Sequence, residues 1–242
     1  MLPKSAWIFI LAVPFLVAAG ESEHHWSYSG SEGPSHWGGT CKTGKGQSPI
    51  AIRSTSAKSQ KLPALSFNYA PTSLHIIDNG HTVQVNIAKG STLAVGRARF
   101  ALVQFHFHKP SEEVIDGHHF AMVAHLVHRD AKGHLAVVAV PLQAGAANPA
   151  IATLWRNLPH QRGHETSPAG VTIDPSELLP AKLSYFTYVG SLTTPPCTEG
   201  VRWFVLRSPV SVSSAEIAEF AKLYPANARP VQPVQGRQVI AS

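Results

Sequence analysis

Charge is scarce in this chain. Asp, Glu, Lys and Arg make up 14% of its 242 residues, against 44% hydrophobic residues. That balance excludes a charge-rich disordered polymer and supplies apolar material for one large core. The formal net charge of +6 is scattered, and no basic stripe interleaved with aromatics marks a nucleic-acid groove. Cysteine is scarcer still. Cys41 and Cys197 are the only two, too few for a disulfide-dense scaffold or a four-cysteine zinc site. Long apolar runs are missing except at 7–19, where Pro14 interrupts the run. Preceded by Lys4 and followed by Ala18, Ala19 and Gly20, that run has the layout of a cleaved secretory leader and is too short to cross a bilayer comfortably. We therefore expect a signal peptide over 1–20 and one mature domain over 21–242, periplasmic or secreted, without stable membrane insertion. In an oxidising compartment Cys41 and Cys197 are expected to pair, the alternative being two buried thiols.

What is abundant is histidine, at 14 residues, the commonest metal-ligating side chain. Around it the chain reads as mainly β. Residues 21–46 are rich in Gly, Ser, His and Trp and show no period, which predicts an irregular segment packed over the body. Alternating or β-branched runs at 74–77, 82–87, 101–108, 120–128, 135–142, 185–190 and 201–206 predict strands, with Asn79-Gly80, Lys89-Gly90, Asp116-Gly117 and Lys132-Gly133 as turns. Helical signals are confined to 149–158, capped by Asn148, and 213–224, where Ser213 and Glu216 form a capping-box pattern.

The sharpest local pattern is Gln104-Phe105-His106-Phe107-His108. On a strand, residues two apart share a face, so Gln104, His106 and His108 project together and the phenylalanines enter the core. His125, on the next predicted strand with Val123 and Val127 on its face, can reach the same point if the strands pair; His128 points the other way, as a core histidine. Three histidines with an open fourth position is the arrangement of a catalytic zinc, whose nitrogen ligands lie about 2 Å away. Two rivals weaken on inspection. The spacing of His106, His108 and Glu112 also resembles a cupin iron motif, but Phe100 and His119 stand where that motif expects glycines. A closed structural zinc site lacks a fourth protein ligand.

Six separated motifs then converge: Gln47-Ser48-Pro49-Ile50, Asn79-Gly80-His81, 104–108, His125-Leu126-Val127-His128, 190–197 (GSLTTPPC) and Asn227-Ala228-Arg229-Pro230. In this order they resemble the α-class carbonic anhydrases of the secreted bacterial type, over nearly all of the mature chain. The resemblance implies a single domain, mainly β with mixed α/β character, built on a central, largely antiparallel ten-stranded twisted sheet with peripheral helices. It implies Zn2+ on His106, His108 and His125, and reversible hydration of carbon dioxide to bicarbonate and a proton through a zinc-bound hydroxide. Thr193 matches the gatekeeping residue and Glu112 its carboxylate partner. Val127, Val137, Leu192, Val201 and Trp203 match the wall of the carbon dioxide pocket, where Thr194 and the Thr193 amide would hold bicarbonate. His81 matches the proton shuttle, and Tyr28 and Asn79 the residues ordering water before it. Gln104 and the backbone carbonyl near Asn227 are the expected acceptors for His106 and His108.

One feature departs from the family. Its members carry a glutamate two residues before the third ligand and a histidine after the gatekeeping glutamate. Val123 and Glu113 occupy those positions here. Val123 cannot accept a hydrogen bond, so Glu113 is expected to supply the carboxylate for His125. The competing function is a carbonic-anhydrase-like binding module without catalysis. An intact set of three histidines, Glu112 and Thr193 favours the enzyme.

Overall fold

Strands with one face in the core alternate, and the central ones are buried on both faces. In 83–86, Val83 and Val85 are fully buried while Gln84 and Asn86 are half-exposed, the period-two pattern of a strand with one face in the core. The computed structural model describes residues 25–242; the leader expected over 1–20 lies outside the described residues. Seven strands carry the architecture: β1 Ile76–Asp78, β2 Val83–Asn86, β3 Ala98–His108, β4 Met122–Arg129, β5 Leu135–Ala144, β6 Tyr185–Ser191 and β7 Glu199–Leu206. They lie in the order β1-β2-β3-β4-β5-β7-β6. Glu165–Thr166 extends the row beyond β1, and Ile240–Ala241 then Lys58–Ser59 beyond β6, so ten strands form the main path. Leu65–Asn68, Thr92–Val95 and Val210–Val212 join its flanks to make a 13-stranded sheet. Along the path only β5 with β7, and Ile240–Ala241 with Lys58–Ser59, run parallel.

Between β3 and β4 the chain reverses at Asp116 and Gly117, with φ of 51° and 80°. Ile115 pairs with His118 across them, so this is a two-residue turn with two successive positive φ, the geometry that favours an Asp-Gly sequence.

The two faces of the sheet do different work. Phe105 and Phe107 are fully buried on one side, where two helices cover them. These are α1 Pro149–Arg156 and α2 Ser214–Leu223, which bring Trp155 and Phe220 against Phe107. Asn148 caps α1 by accepting from the Ile151 amide, and Ser213 and Glu216 form a reciprocal capping box on α2. The Glu216 carboxylate also accepts from the Asn148 amide at 3.2 Å, tying the two helix starts together. Such caps each stabilise by about 1 kcal/mol.

His128 lies on the phenylalanine side, fully buried, with Nε2 2.6 Å from the Tyr69 hydroxyl. Burial pushes its pKa down to about 4. The unfolded chain, titrating near 6.5, therefore takes up this proton first as pH falls. His128 contributes its full stability above pH 6.5 and loses it on the way down to about pH 4, a swing of about 3 kcal/mol. Denaturant titrations across that window should give a flatter stability curve for His128→Gln than for the parent; parallel curves would assign the proton uptake elsewhere.

Part of the opposite face is covered by the N-terminal segment, which sets Trp26 against His81 and Tyr28 near His108. Short turns at Gly30–Glu32, Pro34–His36 and Thr40–Thr43 carry Trp37 and Cys41 inward, and Cys41 is disulfide-bonded to Cys197, 156 residues on. Closing a loop that long stabilises by about 5 kcal/mol in the chain-entropy picture. Arg229 adds a polar clasp, its guanidinium donating to the Gln47 side chain and to the Ser48 and Cys41 carbonyls.

Candidate metal centre

Register makes the centre. Antiparallel pairing sets His125 of β4 directly opposite His106 of β3, and His108 follows two residues along the same face. The ring centroids are 5.0, 5.5 and 4.8 Å apart, and one nitrogen from each ring falls within 4.8 Å of the others. The remaining nitrogen of each ring is engaged. His106 Nδ1 lies 2.8 Å from Gln104 Oε1, and His108 Nδ1 lies 2.7 Å from the Asn227 carbonyl. His125 Nε2 lies 3.1 and 3.3 Å from the Glu113 carboxylate oxygens.

A ring that donates from one nitrogen presents a lone pair at the other. His106 Nε2, His108 Nε2 and His125 Nδ1 are thus the free donors. His108 Nε2 is buried without any hydrogen-bond partner, a costly state for a polar atom unless something binds it. The donor set fits a metal ion held by three neutral imidazoles, with an open fourth position. Burial, then the neighbouring His125, pushes His106 down to about 3; burial and both neighbours push His108 well down. Both therefore stay neutral, as ligands must. Burial also works to lower His125, but the charge and hydrogen bond of Glu113, with Glu112 behind, prevail and raise it.

Glu112 and Thr193 lie beside this cluster. Glu112 Oε1 accepts from the Arg229 amide at 2.8 Å, while Oε2 is buried, 3.8 Å from His125 Nδ1 and without a hydrogen-bond partner. Burial lifts the Glu112 carboxyl to about 7; His125 opposes this, Glu113 adds to it, and the Arg229 amide and Thr193 hydroxyl pull it back. Thr193 is buried on the loop after β6. Next to the histidines is an apolar wall. Val137, Val201 and Trp203 belong to one buried cluster, with Val127 and Leu192 packed against it. The Trp203 ring stands edge-on to His125 at 5.0 Å. Thr194 is half-exposed in the turn closed by the Cys197 amide onto its carbonyl.

Residues 32–242 match the family model of eukaryotic-type carbonic anhydrase. The chain belongs to the α-class carbonic anhydrases. A carbonic anhydrase from Nostoc sp. is 45% identical over 225 residues, covering 89% of this chain and 85% of that protein. The α-carbonic anhydrase of Thermovibrio ammonificans, solved with the inhibitor sulfanilamide, superposes with a TM-score of 0.86 at 42% identity over 89% of this chain and 98% of its own. Dioscorin, solved with ascorbate, superposes at 0.83 with 31% identity, over 90% of this chain and 97% of its own.

Val123 and Glu113, the pair on which the sequence departs from the resemblance, are both near His125. Val123 is buried in the apolar cluster beside the third histidine, and the carboxylate touching His125 comes from the loop after β3 instead of from β4 itself. On the opposite rim His81 stacks on Trp26, centroids 3.7 Å apart and planes within 9°. Burial, then His25 and Arg162, lowers its pKa, so the ring stays a proton acceptor to lower pH. Asn79 Oδ1 accepts from the His81 and Thr82 amides, and its Nδ2 donates to Gln84. The Tyr28 hydroxyl is buried without a partner, its ring 6.3 Å from that of His108.

Trp26, Gln84 and the Arg229 amide are site residues that the sequence reading misses. Gln84 carries a usable signal: it alternates with Val83 and Val85, which puts it on the open face, and it pairs with His106. Nothing local marks Trp26 or the Arg229 amide, which reach the site through tertiary packing.

Proposed function

We propose that this chain hydrates carbon dioxide to bicarbonate and a proton, with zinc on His106, His108 and His125. The observation that carries this reading is the buried, unpartnered His108 Nε2 facing two further imidazole nitrogens beside an apolar wall. Zinc, when bound there, lowers the pKa of a water molecule to about 7, the value characteristic of this enzyme class, so that a nucleophile exists at neutral pH.

The chain's own residues do the rest. A cation on the three histidines would favour ionised Glu112 against the burial that lifts its carboxyl; ionised, it can only accept hydrogen bonds, so the Thr193 proton is committed to it and the Thr193 oxygen is left to accept one from the nucleophile. A lone pair is thereby aimed at the apolar wall. Val127, Val137, Leu192, Val201 and Trp203 offer carbon dioxide a water-poor surface there. Product bicarbonate, being charged, is poorly matched to that wall and is held by Thr194 and the Thr193 amide. The leftover proton moves through water ordered by Tyr28 and Asn79 to His81, which releases it to buffer. Cleavage of 1–20 would deliver the chain to an extracytoplasmic compartment, in keeping with its disulfide.

Stopped-flow hydration by the mature chain, zinc-loaded and then stripped with a chelator, tests the reading. Activity should vanish with the metal and return with one equivalent of zinc. Tight zinc binding without hydration would instead favour a binding domain.

A further inference from the structure

Asp78 is a buried carboxylate at the end of β1 that the chemistry above does not use. It sits under the turn that presents His81. Its Oδ1 accepts from the Gly80 amide at 3.0 Å and from the Tyr224 hydroxyl, and lies 3.7 Å from Arg162 Nε. The Asp78 carbonyl accepts from the Gly163 amide at 2.7 Å. Gly80 has a φ of 89°, a left-handed conformation that suits glycine, and it aims that amide at the carboxylate. Tyr224 closes α2, its amide bonded to the Phe220 carbonyl, and its ring is buried beside Phe220 at 5.7 Å. Beyond it, the Asn227 side chain donates to the His81 carbonyl at 3.0 Å.

The turn is therefore held at its start by a helix end and at its tip by the following loop. We propose that Asp78 and Tyr224 are positioning residues for proton transfer: the helix end fixes, through one buried carboxylate, the backbone that carries His81 at the mouth of the site. A turn between two short strands would otherwise drift. Proton transfer through ordered water is sensitive to displacement of about 1 Å. This inference rests on reading His81 as the proton acceptor.

Tyr224→Phe removes one oxygen and keeps the ring packing. In weak buffer its kcat should fall about tenfold while kcat/KM for carbon dioxide, which does not contain the transfer to buffer, stays within about twofold. Added imidazole should restore kcat, and the ring-current shift that Trp26 imposes on the His81 ring protons should shrink. His81→Ala, run alongside, should show the same split between kcat and kcat/KM. If His81→Ala shows it and Tyr224→Phe does not, the inference fails and the assignment of His81 stands. If His81→Ala leaves kcat unchanged, that assignment fails and takes the inference with it. A joint fall in kcat and kcat/KM that imidazole does not repair would reveal a general structural role and overturn the proposal. Should Tyr224→Phe not fold, Asp78→Asn, which keeps an oxygen for the Gly80 amide but loses the charge, is expected to give the same split.

Discussion

Thr193→Val is expected to lower kcat/KM for carbon dioxide by about 100-fold or more, the usual cost of losing one preorganised polar group at a reacting centre. Valine keeps the shape of threonine and deletes only the hydroxyl. Glu112 Oε2, already buried without a hydrogen-bond partner, then loses the Thr193 hydroxyl that pulls its carboxyl down. The nucleophile loses the acceptor that aims it at the apolar wall. Zinc affinity should be nearly unchanged, because the groups behind the ligand rings are Gln104, the Asn227 carbonyl and Glu113, not Thr193. Stopped-flow kinetics with metal content measured on the same sample separates these effects. Activity within about threefold of the parent would remove Thr193 from the mechanism, since orienting groups that matter cost far more. Lost zinc would mean that the loop supports the ligands and does not merely orient the attack.

Glu113→Gln is expected to weaken zinc binding by about 10–100-fold, the range typical of removing a carboxylate behind a ligand histidine. The charge of Glu113 fixes the His125 proton on Nε2 and so leaves Nδ1 free for metal. A carboxamide can still accept, but it carries no charge and can flip to present a donor. Competition against a chelator of known affinity measures the loss. Adding Val123→Glu to that variant places a carboxylate on β4, two residues before His125 on the same strand face, and should recover most of it. Unchanged affinity in Glu113→Gln would show that the 3.1 Å contact does not support the metal.

Much of the fold is legible in the amino-acid sequence alone. Period-two alternation and β-branched runs mark all seven principal strands, because each has one or both faces in the core. Two capping signatures mark the two longer helices, with ends within about two residues, and the single helical turn at Thr40–Thr43 has none. Thr92–Val95, closed in between Gly90 and Gly96, and Leu65–Asn68, next to Pro63, are strands that the sequence reading leaves out. The two-residue pairings of Lys58–Ser59 and Ile240–Ala241 have no sequence signal, since backbone groups alone make them. The parallel match of β5 with β7 joins residues more than 60 apart, which no local pattern encodes. At the site the histidines are visible because ligation needs side chains of one type on one strand face. The contacts of Asp78 with Tyr224, and of Glu112 with the Arg229 amide, are not visible. They depend on where distant loops come to rest.

The Cys41–Cys197 bond also has a topological meaning. Residues 41 to 197 form a covalent ring that contains His81, all three ligand histidines, Glu112, Glu113 and Thr193. A single proteolytic nick at an exposed turn of that ring, such as Asp130 to Gly133, opens the ring without releasing either fragment. Beyond Cys197 no such guarantee holds. The tail from Thr198 onward bears Asn227 and Arg229, and a cut there leaves the backbone behind His108 and Glu112 attached only by non-covalent contacts. The ring thus leaves outside it both the segment before Cys41, with Trp26 and Tyr28, and the segment after Cys197, with Asn227 and Arg229.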